Sequence, residues 1–273
     1  LLKLTKVIKK QNITTIADFI SSRYGKRQTV ALLVTIIALL ATIPYIALQL
    51  KAIGSAFLLV SGQKDTNSVV LGATLFIALF SIYFGTKRVD VTEYRRGFIL
   101  AISFESIIKL TALIAVAVYG YSWWQQQNDG AMLASFVSYE ALDNFQSTTF
   151  WAQTLMAAAA VICLPRQFHV AVIDNLSLNH LKTARWLFPL YLIIIAAVIP
   201  IISVAGQAML GSSGNEPDTY VLSLAILSDS LLLKMLVFVG GLSAATAMII
   251  VATLTLSTML TNDVILPNFL ANK

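Results

Sequence analysis

The sequence predicts an all-α membrane protein with six transmembrane helices. Three observations predict it. Of the 273 residues, 58% are hydrophobic and 12% charged, and the mean hydropathy is +0.80. A soluble domain carries about 25% charged residues, and so few charges cannot cover a water-soluble globule. Six apolar runs approach the roughly 20 helical residues needed to cross about 30 Å of hydrocarbon. The connections between these runs alternate between basic and acidic. Together these exclude a cytosolic enzyme, a disordered tail and a nucleic-acid-binding domain. The net charge of +6 and pI of about 9.4 then reflect the positive-inside rule, not a nucleic-acid partner.

Residues 1–28 read as a cytoplasmic lead-in with a short amphipathic helix. Lys3, Lys6, Lys9, Lys10, Arg23, Lys26 and Arg27 stand there against Asp18. The transmembrane domain follows over 29–261. Its first span is 29–50, with the apolar extension AIGSAFLLV after Lys51. The second is 68–84 and the third 97–121. The connection between those two holds Lys87, Arg88, Arg95 and Arg96 against Asp90 and Glu93. The third connection, 125–148, has Asp129, Glu140 and Asp143 and no base. The fourth span is 149–173, and Arg166, Lys182 and Arg185 follow its apolar part. The fifth is 184–209, and its exit carries only Glu216 and Asp218. The sixth is 231–261, one crossing despite its length, since an odd number would break the alternation. Residues 262–273 are expected as a cytoplasmic end of a truncated chain. The pattern places both ends of the segment in the cytoplasm. The piece TYVLSLAIL from Thr219 is too short to span and is expected outside the membrane, as a surface or re-entrant helix. Lys51 and Lys234 are expected near outer span ends, where they can snorkel. Tyr121, Trp123, Trp124 and Trp151 mark interfaces.

Pro44 and Pro200 each remove a backbone hydrogen bond and should kink their spans. The fourth span is more informative. Its apolar part stops at Leu164, and Pro165, Arg166, Gln167, Phe168 and His169 come before VAVI. This reads either as a discontinuous helix, whose freed backbone groups face a cavity, or as a cytoplasmic cap. Gly240, Gly241, Ala244, Ala245 and Ala247 let a neighbouring backbone approach the sixth span closely. Thr246 and Thr253 line a pathway in one reading and bond the carbonyl one turn back in the other.

Glu105 and Lys109 stand four residues apart in the third span, in the favourable order. The pair either gates or relays protons, or neutralises itself against neighbouring helices. Glu93, at the mouth of the same helix, is the other acid with a plausible ion role. His169 and His180 are too few, and too far from carboxylates, for a metal site. A single cysteine, Cys163, excludes a disulfide framework. No phosphate-cradling glycine loop, nucleophile elbow or His-Asp-Ser constellation appears, so no enzymatic activity and no cofactor are expected of this segment.

The stretch ITTIADFISSRYGKRQTVALLVTIIALLATIPYIALQLKAI resembles the sodium/solute symporter family. There a short cytoplasmic helix ends in a turn like Arg23-Tyr24-Gly25, after an acid like Asp18, and leads into a long span. FESIIKL, CLPRQFHVAVIDN, TARWLFPLYL and GGLSAATAMIIVATLTLSTMLTNDVILP look most like one branch, the transporter-like membrane domain of bacterial sensor histidine kinases. The resemblance implies the central part of a LeuT-type inverted-repeat (5+5) fold. The first three spans would match helices three to five of one half, and the last three would match helices one to three of the other. The other helices of the same protein would be packing partners.

The family places two adjacent hydroxyl residues as sodium ligands in the last of these helices. The matching positions are Ala247 and Met248. Neither offers the hard oxygen that such an ion takes, which argues against the usual sodium site and leaves proton coupling open. The family's Trp-Thr-Asp is matched by Val91-Thr92-Glu93. Pro165, Arg166, Gln167 and His169 match the kinase-linked branch.

The resulting expectation is a module that binds or moves a small solute, such as an amino acid, and regulates a kinase domain and response regulator. A stand-alone symporter and a binding-only receptor are the alternatives. The lipid bilayer and the solute are the expected partners, with no nucleic acid.

Overall fold

The computed structural model describes residues 2–61, 66–85, 96–127, 147–175, 177–211 and 217–271. Glu93 and the charged connections 86–95 and 128–146 lie outside the described residues. Among the described residues every regular element is a helix. α1 (Leu2–Gln11) and α2 (Ile16–Arg23) precede the long α3 (Gln28–Ser61). Then come α4 (Thr66–Gly85) and α5 (Arg96–Gln127). α6 (Thr148–Cys163) and α7 (Pro165–Phe168) run into a π turn, His169–Ile173. α8 (Leu178–Leu210), the short α9 (Tyr220–Leu227) and α10 (Leu231–Met259) follow. A second π turn, Leu260–Ile265, leads into α11 (Leu266–Ala271).

Local chemistry starts these helices where hydroxyl side chains take the orphan N–H groups. Thr15 caps α2 by accepting from Asp18 N, and Ser147 caps α6 by accepting from Phe150 N. Ser177 and Ser230 do the same for α8 and α10. The turn between α2 and α3 needs left-handed backbone at two consecutive positions. Gly25 (φ +71) and Lys26 (φ +54) supply it, the first at no steric cost.

Four helices among the described residues are long and apolar enough to cross a bilayer: α3, α5, α8 and α10 with its π turn. The bent pair of α6 with 165–173 makes five if it counts as one span. The predicted second span falls in α4, whose apolar stretch Asn67–Leu79 is shorter.

α10 is the central post. A third of its most apolar window (33%) is buried, against 17% for α3 and α5 and 11% for α8. It helps to build three separate cores. Val116 of α5, Ala205 of α8 and Leu224 of α9 form one with Val237 of α10. Ile53 of α3 and Ile77 of α4 form the second with Ile249. Ile8, Ala17 and Phe168 form the third with Leu256 and Met259, so the lead-in helices close onto the far end of α10.

Small residues make these approaches possible. A Cβ on Gly120 would meet Ala205 Cβ at 2.8 Å, and one on Gly240 would meet Ala112 Cβ at 3.3 Å. Leu155, Trp186 and Leu232 point outward, each more than 70% exposed, as lipid-facing side chains do.

Two expectations need correction. Of the surface and re-entrant alternatives for the TYVLSLAIL piece, the surface one does not hold. Tyr220, Ser223, Leu224 and Ala225 of α9 are buried, and Tyr220 lies directly over Gly206. It is too short to cross and apolar all round, so it buries itself between α5, α8 and α10. Lys51 is not at the end of its helix, since α3 continues past it to Ser61. Residues 262–271 continue the helix through the π turn into α11. α3 and α8 run on as single helices through Pro44 and Pro200, and α8 also through Pro189.

Candidate functional site

The chain breaks at Leu164, whose extended backbone (φ −68, ψ 125) is what a residue before proline prefers. Pro165 then opens the next helix, where its missing N–H costs nothing. The two pieces meet at 48°. This bend swings Arg166 inward. Its guanidinium lies 4.1 Å over the Tyr45 ring of α3. It also donates from Nη1 to Met248 Sδ of α10 at 3.2 Å. One half-buried cation therefore ties the broken span to both long helices. Among the described residues no carboxylate pairs with it.

Phe168, one turn on, is buried and packs on Phe19 with ring centroids 5.9 Å apart. His169 Nε2 lies 3.8 Å from Asp174 Oδ2. That corrects the expectation that His169 stands apart from carboxylates. In a π turn residues five apart come together, and Asp174 N donates to His169 O at 2.9 Å. Gln167 is half-buried beside them.

Met248 thus takes a guanidinium where the resembling family places a sodium ligand, and the half-buried Ala247 beside it adds no oxygen. Thr246 Oγ1 donates to Ser243 O at 2.8 Å, and Thr253 Oγ1 donates to Ile249 O at 2.8 Å. Both hydroxyls are spent on their own helix, as helical threonines often are.

Glu105 and Lys109 do not form an ion pair within 4.0 Å. Glu105 still lies within electrostatic reach of Lys109, and also of Tyr191 on α8. Lys109 instead lines a cavity of about 360 Å³ between α3, α5, α9 and α10. Lys51, Ser55, Asp218 and Thr219 also border it.

Sequence reasoning named Arg166, Met248 and Lys109 but missed their surroundings. Tyr45 carried no signal beyond its place after Pro44. Lys51 looked like a snorkelling end, and Asp218 looked like a loop acid. A lysine inside an apolar run was the only sign in the sequence of the space that 51 and 109 share.

No family model matches the chain, and no solved structure matches it. A curated protein of Bacillus subtilis (strain 168), named "Uncharacterized symporter YodF", is 28% identical over 128 residues. That stretch is 46% of this chain and 25% of the relative, so the chain spans about a quarter of the length of the protein it matches. The apolar helices and this distant, partial likeness make the chain a multi-pass membrane protein similar to a symporter.

Proposed function

We propose that this chain is the solute-binding core of a secondary transporter of the sodium/solute symporter type, working without sodium at the usual position. The observation that carries this is the Arg166 contact with Tyr45 and Met248. A broken span meeting two long helices through one cation is the arrangement expected where a bundle opens and closes around a solute. The guanidinium also disfavours a metal ion beside Met248. Two unit charges about 4 Å apart repel by about 4 kcal/mol at an effective dielectric of 20.

The finer reading is that the module belongs to a sensor histidine kinase, on a LeuT-type scaffold. It is supported by the blocks FESIIKL, CLPRQFHVAVIDN and TARWLFPLYL, which look most like that branch. Solute binding would then bias an alternating-access equilibrium by its different affinity for the two states. The coding sequence beyond Lys273 tests this directly: a kinase domain there supports it, and a further run of membrane helices to a stop codon favours a stand-alone symporter.

Sodium tests the main reading. A site of about 1 mM affinity would add about 2.7 kcal/mol of stability at about 100 mM sodium. With choline holding ionic strength, the purified protein should melt at the same temperature with and without sodium. A sodium-specific shift that Ala247→Leu abolishes would overturn the reading. If protons drive uptake instead, Glu93→Gln or Glu105→Gln should abolish accumulation of solute in vesicles. Accumulation unchanged in both variants would remove these two acids from the coupling path.

A further inference from the structure

The cavity beside Lys109 has a definite chemical character. Its volume of about 360 Å³ falls in the roughly 300–1,000 Å³ range of small-ligand sites. Leu48, Leu113, Val237 and Phe238 give it an apolar wall. Two helices each bring one lysine to it, Lys51 from α3 and Lys109 from α5, and the turn before α9 brings Asp218. Among the described residues that border it, two ammonium groups stand against one carboxylate and leave one positive charge. Lys109 is half-buried in a spanning helix; Glu105, one turn before it, lies within electrostatic reach, but no carboxylate among the described residues comes within 4.0 Å. A cation in such surroundings is costly unless something anionic meets it.

Gly240 and Gly241 both border the cavity, on opposite terms. A Cβ at Gly240 would press on Ala112, so that glycine serves helix packing. A Cβ at Gly241 would meet nothing within 4 Å, and Gly241 borders the cavity. Its small size leaves free volume instead of a close helix approach.

We propose that this cavity binds a small amphipathic monocarboxylate. Lys109 and Lys51 take the head, and Val237 and Phe238 take the apolar body. One net positive charge matches a monoanion, and a dianion would leave an unmatched negative charge in an apolar space. The assignment rests on the solute-binding reading above and adds the class of solute.

The test uses the full chain in lipid nanodiscs and four probes: hexanoate, hexanamide, hexylamine and palmitate. Hexanoate should bind, with hexanamide and hexylamine about tenfold weaker or worse, as expected when a charge-assisted contact is lost. Lys109→Gln should weaken hexanoate about tenfold, and Lys109→Arg should recover most of it. Asp218→Asn should tighten it, and Gly241→Val should block it. Hexanamide or hexylamine binding as well as hexanoate, and blocked by Gly241→Val, would overturn the anion assignment while leaving the cavity as a solute site. Binding of none of the three six-carbon probes would overturn both. Palmitate binding alone, indifferent to Gly241→Val, would assign the lysines to a lipid acid and overturn the proposal.

Discussion

Thr15 holds two structures together with one hydroxyl. It accepts from Asp18 N at 2.9 Å, capping α2, and donates to Asp263 Oδ2 at 2.8 Å in the π turn after α10. Thr15 and Asp263 are both buried. Thr14 Oγ1 accepts from Asn262 Nδ2 at 3.1 Å in a less buried place. A lost cap costs about 1 kcal/mol and a lost bond to a charged group about 1.5–3 kcal/mol. Thr15→Val should therefore lower stability by about 2–4 kcal/mol in thermal melts of purified protein, and Thr14→Val by about 1 kcal/mol or less. Equal effects of the two would show that the Asp263 bond contributes nothing. Arg166 was legible as a polar break in an apolar run. Its partners Tyr45 and Met248 were not, because they lie more than 80 residues away and contact follows from the fold.

Helix crossings follow the small residues. Gly120 against Ala205 brings α5 onto α8, and Gly206 receives the Tyr220 ring of α9. Forcing a larger side chain into a packed contact costs about 1–3 kcal/mol. Gly206→Val should displace α9 and lower stability by that amount, and a cysteine at Leu224 should then react with a thiol reagent that leaves it untouched in the parent. Gly241→Val, at a site with no neighbour within 4 Å, should leave stability within about 0.5 kcal/mol of the parent. If both variants melt alike, close helix approach is not what seats α9. The existence of α9 was visible from its apolar run. Its burial was not, since an apolar segment of this length suits either an interface or a bundle interior.

The number of crossings is settled at the level of the whole chain. α4 has 20 residues, about 30 Å of helix, which is just enough. If it crosses, Lys26 before α3 and Gln127 at the end of α5 lie on opposite faces of the membrane. If it lies along the surface, they share one face. Single cysteines at each position in a Cys163→Ser background, labelled with an impermeant maleimide, should react from opposite sides. Labelling from one side would remove α4 from the spans and break the alternation of basic and acidic connections.

Composition and charge pattern alone established that lipid solvates most of this polypeptide, that it is helical, and roughly where its helices run, because apolar length and loop charge respond to the bilayer directly. They could not say which helix faces touch. The long helices are apolar all round, so no polar stripe marks an outside, and in lipid an apolar face gains little by turning inward. Contacts are chosen instead by shape and by rare polar groups: Gly240 on Ala112, Tyr220 over Gly206, Arg166 on Tyr45 and Met248. For the same reason, only the tertiary structure could place Lys51, Lys109 and Asp218 around one cavity.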